Sequence, residues 1–217
     1  MLKIKTETVF RIAKSKLQTD FSVWPTIEPD HLWIFDKLIV ARKAGHICGP
    51  RGMDVPNPGF YMVRPVVNFY GMGIGAKKKF IEKSTDSIEN GYFWCEYFDG
   101  EHLSIDYRGV NPVLSAAGKK DIENPYQKFV HWQKVGHHIP LPQMLVRICL
   151  LYEVINCEFI GGKLIEIHLR GNTDFSHDNT EMIPVWRGES TSPPDGFRYI
   201  EDSPEDSDDE RIGILIR

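Results

Sequence analysis

The sequence has no run near the roughly 18 consecutive apolar residues that a bilayer-spanning helix requires, so an integral membrane protein of that kind is not expected. Its first residues, MLKIKTETVFRIAKSK, hold no apolar core of the sort found in secretory signals, and a cytoplasmic protein is expected. Cysteine is scarce: the 217 residues hold four, Cys48, Cys95, Cys149 and Cys157, with no C-x-x-C pair. That argues against a disulfide framework and for reduced, mostly buried thiols, with zinc as the alternative reading. A large excess of charge of one sign is also missing. The net charge is −4, and the segment EDSPEDSDDE (201–210) alone carries seven acidic residues, so that removing it turns the balance into +3. A mildly basic body suits an anionic ligand, but +3 is too little to argue for DNA or RNA. The acidic run reads as a solvated loop or tail. Neither the Rossmann nor the Walker glycine spacing is present, and there is no internal repeat.

What remains is an ordinary globular composition, 41% hydrophobic and 26% charged, long enough for one domain or for two small lobes sharing a core. Apolar spacing predicts a helix over 31–44, closed by Gly45. Residues 45–60 are rich in Gly and Pro and read as loop, with at most one short strand. Strands are expected at 61–67 and 92–98, the second rich in aromatics. Asp99-Gly100 is a turn signal, and 101–107 alternates with period two as a partner strand. Residues 108–138 are polar and less regular. Pro140 and Pro142 open an expected helix whose apolar positions Leu141, Met144, Leu145, Ile148 and Leu151 follow the 3-4 spacing. Strands at 154–160 and 163–169 flank Gly161-Gly162, a strong hairpin signal. Short strands are expected at 183–186 and 212–216. Hairpins interleaved with helices make the fold class α+β.

Two segments carry chemistry. Gly71, Gly73 and Gly75 follow a strand and precede Lys77, Lys78 and Lys79. Glycines let backbone N–H groups approach phosphate oxygens, with cations nearby to offset charge, although a plain flexible turn has the same composition. The 154–170 hairpin allows two registers. A two-residue turn pairs Ile160 with Lys163 and sets Cys157 opposite Glu166; a three-residue loop pairs Ile160 with Leu164 and sets Glu158 opposite Glu166. In the second register two carboxylates face each other with their Cβ atoms about 5 Å apart, an arrangement that is unfavourable without a cation between them. Mg²⁺ suits hard carboxylate oxygens; an exposed acidic pair is the alternative. His131, His137 and His138 cluster without matched ligands elsewhere and read as surface histidines.

In order along the chain, these segments resemble the ATP-grasp superfamily. FDKLIVARKAG…DVP resembles its Asp-Lys helix, and YMVRPVVNFYGMGIGAK resembles its strand and phosphate-covering glycine loop. WCEYFDGEHLSIDY is similar to its hinge and following hairpin, and CEFIGGKLIEIHLRGN to its metal-binding hairpin, the resemblance covering roughly residues 31–172. It implies an α+β fold of two lobes gripping ATP, with a reduced N-terminal region: an extension over 1–30, the grasp domain over 31–200, and the acidic segment with a C-terminal strand over 201–217. It implies an ATP- and Mg²⁺-dependent ligase that activates a carboxylate as an acylphosphate and joins it to an amine or thiol. A grasp-fold kinase or a non-catalytic nucleotide- or partner-binding module is the alternative.

Carried onto this sequence, the resemblance places Lys37 and Arg64 at the phosphates under Gly71, Gly73 and Gly75. It makes Cys95, Glu96, Tyr97 and Phe98 the adenine hinge and puts Glu101 or His102 at the ribose. Glu158 and Glu166 would hold Mg²⁺, with His168 or Asn172 as third ligand, and Arg170 would meet the transferring phosphoryl group. Arg64 stands where the family has Lys, Cys95 where it often has Glu, and His168 where its E-x-N motif has Asn. With only about 30 residues ahead of the first motif, the acceptor site is expected from 108–138, from 173–200, or from another chain, as a homo-oligomer or a protein partner. His131, His137, His138, Arg147 and Arg187 are the cationic candidates for a small-molecule or peptide carboxylate.

Overall fold

The computed structural model describes residues 19–67, 73–123, 125–126, 128–172, 175, 178–202 and 211–217. Two antiparallel sheets organise them. The smaller has the order β1-β4-β2-β3, built from Cys48–Pro50 (β1), Gly59–Pro65 (β2), Lys77–Ile81 (β3) and Tyr92–Glu96 (β4). Alternation along these strands divides their side chains between two faces. Tyr61, Val63 and Trp94 pack with Val55, Ile81 and Ile88 on one side. On the other, Phe93, Cys95 and Met62 pack against Leu38 and Ala41 of a helix over Lys37–Lys43.

The larger sheet has eight strands: His102–Arg108 (β5), Asn111–Lys120 (β6), Phe129–Lys134 (β7), Ile155–Ile160 (β8), Lys163–His168 (β9), Glu181–Trp186 (β10), Arg198–Glu201 (β11) and Arg211–Ile216 (β12). Their order is β11-β12-β10-β7-β6-β5-β8-β9, so β9 and β11 are the edges. One face of the β5, β8 and β9 strands carries Leu103, Ile105, Tyr107, Ile155, Cys157, Phe159 and Ile167. This face is closed by residues of 23–35 and 141–149. The opposite face is apolar over β6, β7, β10 and β12, through Leu114, Ala116, Trp132, Met182, Ile214 and Ile216. Over β5, β8 and β9 it turns polar, because residues paired in register share a face: His102, Ser104 and Asp106, then Asn156 and Glu158, then Glu166 and His168.

The helical content is smaller than an α+β reading expects. The helix expected over 31–44 divides into a 3₁₀ segment, Pro29–Phe35, and the α-helix Lys37–Lys43. Asp36 separates them: its extended backbone ends the first, and its carboxylate caps the second by accepting from Ile39 N at 2.8 Å. Gly45 follows the helix with φ 78°. The only other α-helix among the described residues is Asp20–Val23. The helix expected after Pro140 is instead a 3₁₀ turn, Gln143–Leu145, continued by tight turns. The backbone bonds there run mainly to the third residue back (Leu145 to Pro142, Val146 to Gln143, Ile148 to Leu145), so the apolar spacing reports burial without an α-helical ladder. Residues 108–138, read as irregular, supply the central strands β6 and β7. No helix among the described residues is long and apolar enough to cross a membrane.

Candidate functional site

The β8–β9 hairpin combines features of both expected registers. Gly161 and Gly162 have φ of 54° and 79°, as a two-residue I′ turn requires, and Ile160 pairs with Lys163. A bulge then inserts Ile165, so that Glu158, not Cys157, faces Glu166. Two carboxylates thus meet on the polar face, where His168 follows Glu166 with one residue between.

Basic side chains reach this pair from several elements. Lys37, at the start of its helix, is buried with its Nζ 2.5 Å from Glu166 Oε1. His102 Nε2 lies 3.1 Å from Glu158 Oε2, its ring packed edge-on against Phe129 and Trp132. His168 Nδ1 lies 2.6 Å from Asp20 Oδ2, and its Nε2 faces Glu158 Oε1 at 3.6 Å and Glu166 Oε1 at 4.0 Å. Arg170 Nε donates to the other Asp20 oxygen at 2.9 Å. Arg64, on β2, donates from Nη2 to Ile165 O at 2.9 Å, with its guanidinium over the Phe93 ring. Its Nε is buried with no hydrogen-bond partner among the described residues.

The electrostatics follow from this packing. Burial alone would raise the Glu158 pKa, but His102 and His168 outweigh it and hold the carboxyl well below its usual range. Burial likewise opposes ionisation of Asp20, and His168 and Arg170 prevail, lowering its pKa. For His168 burial favours the neutral ring, yet the Asp20 carboxylate raises its pKa to about 9. Lys120, on β6, has its pKa lowered by burial, an effect that the Glu158 and Asp99 carboxylates only partly offset.

The structure brings together Lys37, Arg64, Glu158, Glu166, His168 and Arg170. It sets Asn172 apart: its Nδ2 donates to Ser104 Oγ, its Oδ1 accepts from Phe175 N, and its backbone N donates to Asp106. His102, read as a ribose contact, sits on Glu158 instead. Glu101 faces His137 Nε2 at 2.6 Å. His131 lies 3.6 Å from Glu181. Gly73 and Gly75 form a positive-φ turn beside β3; Gly71 lies outside the described residues, as do 203–210 of the acidic segment. Of the lysines after that turn, Lys77 pairs with Glu89 and Lys79 with Ser87, while Lys78 Nζ stands 3.7 Å over the Tyr97 ring. At the hinge, Cys95 is buried, Glu96 Oε1 accepts from Ile47 N, and Phe98 packs edge-on against His46. Burial, with Asp99 and Tyr126 beside it, pushes the Tyr97 hydroxyl up to about 12.

Sequence reasoning missed Asp20, Lys120 and the Ser104–Asp106–Asn156 network. The last had a signal: His102, Ser104 and Asp106 alternate on one strand, and Asn156 and Glu158 on the next. Asp20 had none, since it lies 148 residues from its partner His168.

No protein-family model matches the sequence, and no curated protein sequence matches it. Among solved structures, the chain is similar to a protein from Archaeoglobus fulgidus assigned to the ATP-grasp superfamily, at 12% identity and a TM-score of 0.49, with 85% of this chain matched to 64% of that one. It is also similar to the ATP-grasp ligase PsnB complexed with a minimal precursor, at 14% identity and a TM-score of 0.35, with 66% of this chain matched to 56% of that one. The chain therefore spans less than two thirds of either length.

Proposed function

We propose that the chain is an ATP- and Mg²⁺-dependent ligase that activates a carboxylate as an acylphosphate and joins it to an amine or thiol. The observation that carries this reading is the convergence of Lys37, Arg64 and Arg170 on the β8–β9 hairpin, where Glu158 faces Glu166. The residues fit both halves of a metal nucleotide. A buried guanidinium N–H without a partner costs about 1–3 kcal/mol, and an anionic oxygen would remove that cost at Arg64 Nε. The paired carboxylates are the hard donors that Mg²⁺ takes alongside phosphate oxygens.

In this reading Lys37 and Arg64 bind the terminal phosphates, and Arg170 meets the charge that develops on the transferring group. Backbone groups of 95–98 meet the adenine. Glu158 and Glu166 hold the dication, which when bound screens phosphate oxygens from the incoming carboxylate. A substrate carboxylate oxygen bonds to the γ-phosphorus as ADP leaves with the bridging electron pair. The amine or thiol then bonds to the acyl carbon as the acyl C–O bond breaks, and phosphate leaves with that electron pair and takes up the proton that the nucleophile gives up. The chain supplies positioning and charge neutralisation, which is most of what phosphoryl transfer needs from a protein.

One observation favours a binding module without turnover: each carboxylate of the cluster already has a basic side chain of its own beside it. Thermal unfolding with ATP, ADP and GTP, each with and without Mg²⁺, tests the shared premise. A ligand specific for the folded state at about 100 times its Kd adds about 2.7 kcal/mol. The expected result is a Mg²⁺-dependent shift with ATP that Glu166→Ala and Arg64→Ala both lose; no shift at millimolar nucleotide overturns the site. ADP release that needs both an acid and an amine then marks a ligase. A stable phosphorylated product marks a kinase, and binding without turnover marks the module.

A further inference from the structure

We propose that Cys48 and Cys95 form a thiol pair that a small-molecule disulfide closes reversibly into a cross-strand bridge, and that closing it weakens nucleotide binding at the neighbouring hinge. The first half stands on the fold alone. The second rests on the reading above, in which the backbone of 95–98 meets the adenine.

Cys48 on β1 pairs directly with Cys95 on β4. Beside this pair, Glu96 N donates to Ile47 O at 2.8 Å, so the backbones of Ile47 and Glu96 are hydrogen-bonded to each other. Bonded and non-bonded pairs alternate along an antiparallel ladder, which makes Cys48 and Cys95 a non-hydrogen-bonded pair. Such pairs hold their Cα atoms about 4.5 Å apart, inside the span of about 4.4–6.8 Å that a disulfide bridges. Directly opposed residues share a face. Both side chains accordingly lie in one cluster with Leu38, Ala41, Met62 and Phe93. The next pair keeps the strands close: a Cβ on Gly49 would lie 2.8 Å from the Trp94 ring, so the missing side chain lets β1 lie against β4.

The two thiols differ in access. Cys95 is buried, with Sγ donating to Glu96 O at 3.3 Å, whereas Cys48 is half-buried beside the Arg42 guanidinium. Burial raises the pKa of both, and at Cys48 Arg42 opposes this only in part, so the closed fold keeps the pair as thiols. β1 is a three-residue strand at the edge of its sheet, the kind of element that opens locally and brings Cys48 to solvent. The Cys48 thiolate then bonds to one sulfur of the small disulfide, and the other sulfur leaves as a thiolate. Cys95, deprotonated in turn, bonds to the Cys48 sulfur and expels the second thiolate. The two protein thiols give up two protons and two electrons, and the small disulfide is reduced to two thiols; excess thiol runs the exchange backward. A disulfide holds its Cβ atoms about 3.8 Å apart, against about 4.5–5.5 Å for opposed strand residues. Closure therefore draws β1 toward the hinge strand and takes Cys95 Sγ off Glu96 O.

The experiment equilibrates the full chain with reduced and oxidised glutathione over a range of ratios, alkylates the remaining thiols and maps the peptides by mass spectrometry. The expected product is a Cys48–Cys95 bridge that dithiothreitol reverses, with the buried Cys149 and Cys157 alkylated only after unfolding. Cys95→Ser is expected to stop at a glutathione adduct on Cys48. The bridged protein should bind ATP about tenfold more weakly, read as a smaller rise of the unfolding temperature with ATP and Mg²⁺ than the reduced protein shows. Cys48→Ser should keep the full rise with and without oxidised glutathione. No reaction at any ratio, a lasting glutathione adduct on wild-type Cys48, or a bridge to Cys149 or Cys157 overturns the pairing. A bridged protein whose ATP response equals that of the reduced one overturns the switch. If the reduced protein gives no ATP response either, the nucleotide reading falls and the switch with it, while the mapped bridge still decides the pairing.

Discussion

Lys37 shows how one residue can be legible in sequence while its setting is not. The Asp36-Lys37 pair is visible as a helix start, and Asp36 does cap the helix. That cap places Lys37 at the first helical position, 6% exposed, with its ammonium against Glu166. Removing one member of a buried ion pair strands the other charge, whereas removing both does not. Lys37→Met should therefore destabilise the protein by about 3 kcal/mol in urea denaturation, and Lys37→Met/Glu166→Gln should recover much of that loss. A single variant as stable as the wild type would mean that solvent already compensates Glu166. Asp20 makes the contrasting case. Nothing in the local sequence marks it, because its role is created by a contact with His168 across most of the chain.

At the scale of elements, the hairpins were readable because Gly-Gly and period-two alternation are local signals, and the same logic explains what was not. β6 runs through Ser115, Ala116, Ala117 and Gly118, a composition with little strand preference, and is held by neighbours on both sides. The hairpin register lay between two alternatives because a bulge cannot be read from turn length; Ile165 lets a two-residue turn coexist with a Glu158–Glu166 pairing. The turn also has a role that sequence does not reveal. Gly161 N donates to Glu101 O, and a Cβ at Gly161 would lie 2.2 Å from the backbone oxygen of Asp99, while one at Gly162 would meet nothing within 4 Å. Both glycines have positive φ, so alanine at either carries the left-handed penalty of about 1–2 kcal/mol. Gly161→Ala should cost clearly more than Gly162→Ala, since only the first pushes the hinge loop off the hairpin. Equal losses in chemical denaturation would show that the loop moves aside freely.

Across the whole molecule, the two sheets are joined at one edge. His46 Nε2 donates to Leu164 O at 2.7 Å, Arg64 Nη2 to Ile165 O at 2.9 Å, and Lys37 pairs with Glu166. Three successive residues of β9 thus take three basic side chains. They can do so because β9 ends the sheet order, leaving one side of its backbone without a strand partner. A seam of directional polar contacts can exchange one acceptor for another, as an apolar interface cannot, and Arg64 keeps Nε in reserve for such an exchange. If the seam behaves as a unit, its members are coupled. His46→Ala and Arg64→Ala should each cost about 1 kcal/mol. Their double variant should depart from the sum by about 0.5–3 kcal/mol, because loosening one contact lets β9 drift from the other. Additivity within about 0.5 kcal/mol in a double-mutant cycle would mean that each contact holds β9 independently. A coupling that shrinks when ATP and a dication are added would mean that the ligand has taken over the work of joining the sheets.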